Sequence, residues 1–304
     1  MQAYIAQRIV SALATLLVVS VVVFTVTRLS GDPVRLMLPI EASNEEVARF
    51  RERLGFDRPL PVQYAEFLGR AVTGDLGRSL RYQQPALQVI VERLPATAAL
   101  AGAAMAVALL IAIPAGVLSA ARRGGLLDGL ARGLALLGQA LPAYWLGIML
   151  IIVFAVQLRW LPAAGAGTPA HVVLPAVTLG LWPTARISRV LRASLIEALN
   201  GDYVRTARAK GLHEPQVVLH ALRNALLPAI TVIGLSFGIV FGGAIITETV
   251  FAWPGTGRLL LDAVSQRDYP LVQAIVLVFA VLFLAINLLV DLLYGVLDPR
   301  VRLS

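Results

Sequence analysis

Six apolar runs, at residues 9–29, 97–121, 134–156, 172–190, 227–251 and 271–297, dominate this chain. Each approaches the roughly 20 residues that a helix needs to cross a bilayer core of about 30 Å. A chain that must place six such helices has little freedom left, and it reads as an all-α integral membrane protein with six transmembrane helices. The composition agrees, with 58% hydrophobic and 14% charged residues against about 25% charged in a soluble domain. Mean hydropathy is +0.78. An even number of spans puts both termini on one side. The first run lacks a small-residue cleavage site after a short apolar core, so it is expected to be a retained helix and not a signal peptide. With no cysteine in the chain, disulfides and thiolate metal sites are excluded.

Orientation follows from the arginines. If the amino terminus is cytoplasmic, Arg8, Arg122, Arg123, Arg132, Arg186, Arg189, Arg192, Arg205, Arg208, Lys210, Arg223, Arg300 and Arg302 all fall inside, and the short outer loops keep only Arg159, Arg258 and Arg267. That asymmetry is the positive-inside pattern. Residues 30–96 carry nine arginines and nine acids, and so long a loop escapes the rule. The high sequence pI, near 10.5, therefore reflects topology. No aromatic-interleaved basic patch points to nucleic acid.

Between two of the apolar runs lies a charged, helix-forming segment, Asp202-Tyr203-Val204-Arg205-Thr206-Ala207-Arg208-Ala209-Lys210-Gly211-Leu212, followed by Leu226-Leu227-Pro228. On a helix, Val204, Ala207 and Gly211 share a small face, while Arg205 and Arg208 lie on another. One face can dock and the other stay solvated. By charge alone this is equally an ordinary positive loop. The run from Tyr203 to Gly211, with His220, Leu222, Arg223, Asn224 and Pro228 beyond it, resembles the ATPase-contacting loop of ABC importer permeases of the peptide and nickel uptake type. The general importer loop begins Glu-Ala-Ala. Here Arg205, Thr206 and Ala207 stand at those positions, as in the peptide-type branch.

The outer loop supports the same resemblance. Residues 45–54, 61–72 and 85–94 have helix-forming composition, with a turn at Gly74-Asp75-Leu76-Gly77. The succession Gly31-Asp32-Pro33, Leu54-Gly55-Phe56-Asp57, Pro59-Leu60, Gln63-Tyr64, the Gly74 turn, Ser79 and Arg93-Leu94-Pro95-Ala96-Thr97 is similar to the outer segment of one of the paired permeases in that family. Phe251-Ala252-Trp253-Pro254-Gly255-Thr256-Gly257-Arg258 and Arg267-Asp268-Tyr269-Pro270 resemble its re-entry before the last helix, and Asp298-Pro299-Arg300 its carboxyl end. Taken singly, Pro254, Gly255 and Gly257 also read as plain turn formers. The expected organisation is a first transmembrane helix (1–29), an extracytoplasmic helical lid (30–96) and a permease core of five helices (97–304) with its coupling loop at about 191–226.

Enzymatic readings have little support. No Gly-x-x-x-x-Gly-Lys-Ser/Thr loop is present, and His171, His213 and His220 are not at ligand spacing, with His213 and His220 read as solvated or partner-facing. A channel or an intramembrane enzyme is the distant alternative class. Acids at membrane depth are Glu248 and Asp291, each costing roughly 2.5–3.5 kcal/mol at a helix centre unless turned toward protein or water. Glu248, with Thr247 and Thr249, lines a pathway or pins a neighbouring helix; Asp291, four residues from Asn287, is read first as a pin. Gln139, Pro142 and Pro183 mark breaks or kinks where cavities form. Arg186, Arg189 and Arg192 are expected to snorkel at the inner end of the fourth span.

The resemblance implies a non-catalytic permease of an ATP-driven, binding-protein-dependent importer in the bacterial inner membrane. Its coupling residues would be Tyr203, Arg205, Thr206, Ala207, Arg208, Lys210, Gly211 and Leu212, with Gly211 letting the loop turn where a side chain would obstruct packing. Glu248, Thr247, Thr249 and Gln139 are candidates for the pathway. The chain itself would bind no cofactor, ATP and Mg sitting on partner ATPases. Implied partners are a second homologous permease in a heterodimer, two ATPase subunits, an extracytoplasmic binding protein and membrane lipid. Di- or oligopeptides are the first expectation for cargo; nickel chelate, glutathione or an opine is the alternative.

Overall fold

The structure, a computed structural model, describes residues 2–29, 43–53 and 55–297. Gly31-Asp32-Pro33, Leu54 and Asp298-Pro299-Arg300, which carried part of the resemblance, lie outside the described residues. Eleven α-helices and one π-helical stretch make up the described chain: α1 Gln2–Leu29, α2 Asn44–Arg53, α3 Leu60–Val72, α4 Ala86–Ala121, α5 Leu126–Ala140, α6 Ala143–Leu150 continuing as a π-helix Ile151–Gln157, α7 Ala170–Leu199, α8 Asp202–Ala209, α9 Glu214–Val250, α10 Thr256–Ser265 and α11 Tyr269–Leu297.

Among the described residues, four helices are long and apolar enough to cross a membrane: Gln7–Arg28, Ala86–Ala121, Glu214–Val250 and Tyr269–Leu292. The third expected span, 134–156, is not one helix. Pro142 lacks the N–H that would bond four residues back and disfavours helical geometry at Leu141, so α5 stops and α6 begins after Pro142 in extended conformation. The fourth lies within α7, which runs unbroken through Pro175 and Pro183. The helix expected at 85–94 does not end at Leu94 but is the first part of the 36-residue α4, which passes through Pro95.

The chain divides into two compact units, Met1–Pro95 with Gly255–Leu284 and Ala96–Pro254 with Ala285–Ser304. In the first, Ala86, Val89 and Ile90 pack with Leu259, Ala263, Leu271, Ala274 and Ile275. Helix α1 is tied to α3 by the Ser20–Tyr64 hydroxyl pair at 2.8 Å and by Phe24 stacked edge-on to Tyr64 and beside Phe67. In the second unit α7 lies along both α4 and α9. A Cβ added at Gly180 would come within 2.5 Å of the Ala104 carbonyl oxygen, and one at Gly116 within 3.0 Å of the Ser188 carbonyl oxygen. The backbones approach that closely only because glycine stands there.

Candidate functional site

Helix α8 is short, and both its ends are closed by local geometry. Gly201 starts it in extended conformation. At the other end Gly211 takes φ +82°, its N–H donating to the Arg208 carbonyl at 2.9 Å, while Leu212 N–H reaches back to the Ala207 carbonyl at 3.3 Å. This pair of bonds is a Schellman closure, which satisfies carbonyls left over by the last turn. Its apolar partner is Leu212, packed against the neighbouring core. His213 then starts α9: its N–H donates to Gln216 Oε1 at 3.3 Å and its carbonyl accepts from Gln216 N–H at 2.9 Å. Its side chain is exposed.

Across this turn Arg208 Nε and Nη2 donate to Glu214 Oε1 and Oε2 at 2.8 and 3.2 Å. The paired bonds raise the Arg208 pKa, hydrogen bonding to the Glu214 carboxylate being the main cause. The clamp is exposed and worth little in free energy; it spans the turn between α8 and α9.

The small face does not wait for a partner. Val204 and Ala207 are buried in a cluster with Leu191 and Leu195 of α7 and Val217, Ala221 and Ala225 of α9. Tyr203, Arg205, Thr206, Arg208, Lys210 and Gly211 are exposed. A Cβ at Gly211 would meet nothing within 4 Å, so the glycine is required by its backbone angle and not by close packing.

A polar centre that the sequence reading missed joins α5 to α7. Asp128 of α5, 1% exposed, accepts from Arg192 Nε at 2.8 Å and Nη2 at 3.0 Å, from the Ser119 hydroxyl, and from Gly124 N–H at 3.0 Å. Arg192 above all, then Ser119 and Gly124, holds the carboxyl well below the usual carboxylate range. Arg192, expected at the headgroups, is turned inward, because a buried carboxylate demands a paired charge. Arg186 instead lies over the Trp182 ring, 5.7 Å from its centroid. The only local signal was an acid in the first turn of an amphipathic helix after Gly124-Gly125, which reads as a dipole partner.

The expected pathway groups scatter. Glu248 is fully buried, and Thr97 of α4 donates to its Oε1 at 2.6 Å. Thr247 is buried beside it, whereas Thr249 is exposed and donates to its own helix at the Ile245 carbonyl. Gln139 is half-buried at the end of α5, just before the Pro142 break. Asn287 Oδ1 is buried without a hydrogen-bond partner among the described residues. In the outer signature, Asp268 joins two distant segments: its Oδ2 accepts from the Ser79 hydroxyl and from Arg81 N–H at 3.1 Å, and its Oδ1 accepts from Leu271 N–H at 3.3 Å. No group of three His, Asp or Glu positioned for a metal occurs among the described residues.

Comparison with known proteins matches residues 112–303 to the family described as binding-protein-dependent transport system inner membrane component. Residues 1–101 match the N-terminal family of the same membrane components. The glutathione transport system permease protein GsiC of Pectobacterium atrosepticum is 46% identical over 301 residues, 98% of each chain. That of Escherichia coli (strain K12) is 43% identical over the same share. Among solved structures, an inward-facing MetNI methionine ABC transporter chain aligns with TM-score 0.61 at 18% identity, over 70% of this chain and 98% of that one. A chain of an amino acid ABC transporter gives 0.55 at 15% identity, over 68% and 94%. At these identities the structures speak for the fold alone.

Proposed function

Because the chain belongs to the family of binding-protein-dependent transport system inner membrane components, we propose that it is the permease of an importer whose cargo is glutathione. At the coarser level it is a non-catalytic, multi-pass inner-membrane subunit of a binding-protein-dependent ABC importer, working with ATPase subunits and a substrate-binding protein. The observation that carries the cargo is identity of 43–46% along 98% of the chain with permeases named for glutathione transport. Glutathione, the alternative at the start, thus displaces di- and oligopeptides as the preferred cargo.

Helix α8 is the coupling element in this reading. Its inner face, Val204 and Ala207, is bolted to α7 and α9, so a push on its outer face, Tyr203, Arg205, Thr206 and Lys210, moves both long helices together. ATP and Mg on two partner ATPases would close those subunits, draw this helix toward its counterpart on a second, homologous permease, and open the pathway outward to the binding protein. Hydrolysis resets it. Both termini are cytoplasmic and residues 30–96 extracytoplasmic. Glu248, held by Thr97, pins α9 to α4 and does not line the route. The test is uptake by the reconstituted complex with its binding protein, comparing glutathione, dipeptides, an opine and a nickel chelate. ATP-dependent uptake of dipeptides with glutathione excluded would overturn the assignment.

A further inference from the structure

Within the first unit lies a cavity of about 450 Å³, a size that suits a small ligand. It lies between the end of α1, helix α3, the loop after it and the start of α11. Three guanidinium groups line it: Arg28, Arg70 and Arg78. No carboxylate among the described residues forms an ion pair with any of the three. Arg28 lies over the rings of Phe56 and Phe24, 4.1 and 5.1 Å from their centroids. Such stacking holds a guanidinium by its face, and among the described residues no hydrogen bond occupies the Arg28 N–H edge that a planar anion would meet. Arg78 is fixed by donating from Nη2 to the Gln83 carbonyl at 2.7 Å.

Of the two acids of the wall, only Glu66 is in an ion pair among the described residues. Glu66 pairs with Arg58, and Asp75 Oδ1 accepts from Gly77 N–H at 3.0 Å. A second observation is independent of charge. Gln63, whose side chain lines the cavity, is 7% exposed; its amide nitrogen donates to the Phe56 and Arg58 carbonyls, and its Oε1 is buried with no hydrogen-bond partner among the described residues. Such an orphan acceptor costs free energy unless something donates to it.

We propose that this cleft is a peptide-carboxylate site: guanidinium groups take a terminal carboxylate, the Gln63 oxygen takes an amide N–H, and Asp75 takes a free amine. A zwitterionic small peptide carries all three features on one short backbone. An anionic lipid headgroup would meet the arginines but leave Asp75 opposed. The inference rests on the cargo reading above and adds a place where the cargo is held on the extracytoplasmic segment.

Binding is measured by calorimetry on the whole permease–ATPase complex in zwitterionic-lipid nanodiscs without binding protein. The ligands are glutathione, its diester and triglycine. Glutathione and triglycine should bind, the diester should bind roughly tenfold or more weakly, and Arg70→Gln and Arg78→Gln should weaken glutathione by a similar factor. Both variants change exposed side chains, and subunit assembly with an unchanged melting midpoint confirms that they fold. Equal binding by wild type and both variants overturns the site whether or not glutathione is transported. If glutathione uptake fails but triglycine binding depends on Arg70, the cargo reading falls and the site stands. Arginine-dependent retention of phosphatidylglycerol in native mass spectrometry, with glutathione binding unchanged, assigns the cleft to a lipid headgroup and overturns the proposal.

Discussion

Replacing Gly211 separates backbone strain from docking. Its φ of +82° is open to glycine and costly to other residues; a side chain in left-handed conformation costs about 1–2 kcal/mol, less for asparagine. Because a Cβ there meets nothing within 4 Å, no steric penalty within the chain adds to that figure. Gly211→Ala and Gly211→Trp should therefore lower the stability of the purified complex by the same amount, about 1–2 kcal/mol, and Gly211→Asn by less. Their functions should diverge. Only the indole adds bulk at this exposed end of α8, where the ATPase is expected to sit, so Gly211→Trp alone should abolish uptake and binding-protein-stimulated ATP hydrolysis in vesicles. Melting midpoints and uptake rates for the three variants make the assay. Normal uptake by Gly211→Trp would refute the docking face. A loss shared equally by alanine and tryptophan would show that the Schellman turn itself, and not contact with a partner, carries the coupling.

Three further outcomes are expected. A cysteine at Ser43 should react with an impermeant maleimide in intact cells, and one at the exposed His220 only after permeabilisation; the opposite order would invert the topology. Thr97→Val removes the hydroxyl that donates to Glu248 and should lower the melting midpoint by an amount equivalent to about 1–3 kcal/mol, slowing uptake of every cargo alike; a loss confined to substrates with a free amine would return Glu248 to the pathway. Asp128 has its pKa depressed by Arg192, so its stabilisation is complete above the unfolded carboxylate value of about 3.9 and is lost only as pH falls below that value. Asp128→Asn should reduce the midpoint at neutral pH and flatten the acid limb of the midpoint-versus-pH curve, and an acid limb identical to wild type would disprove the role of this pair.

The features legible in the sequence are those set by residues a few positions apart. Apolar length announces the long helices, Pro142 announces the break that divides the third span, and Gly211 announces the end of α8, because each acts through its own φ, ψ or N–H. Sequence also placed Val204 and Ala207 on one face, since 3.6 residues per turn requires it. It could not say whether that face would meet a partner or the chain's own α7 and α9. Helical periodicity fixes which residues share a side but not what lies opposite. The polar pairings show the same limit. Ser79 finds Asp268 from 189 positions away, Thr97 finds Glu248 from 151, and Arg192 finds Asp128 from 64. Read alone, Arg192 looked like a snorkelling cation, and Glu248 like either a pathway group or a pin with no named partner. A buried polar group must be satisfied by whatever packing brings within about 3 Å, and only the tertiary structure, which depends on close approaches such as that of α4 and α7 at Gly180 and Gly116, decides which groups those are.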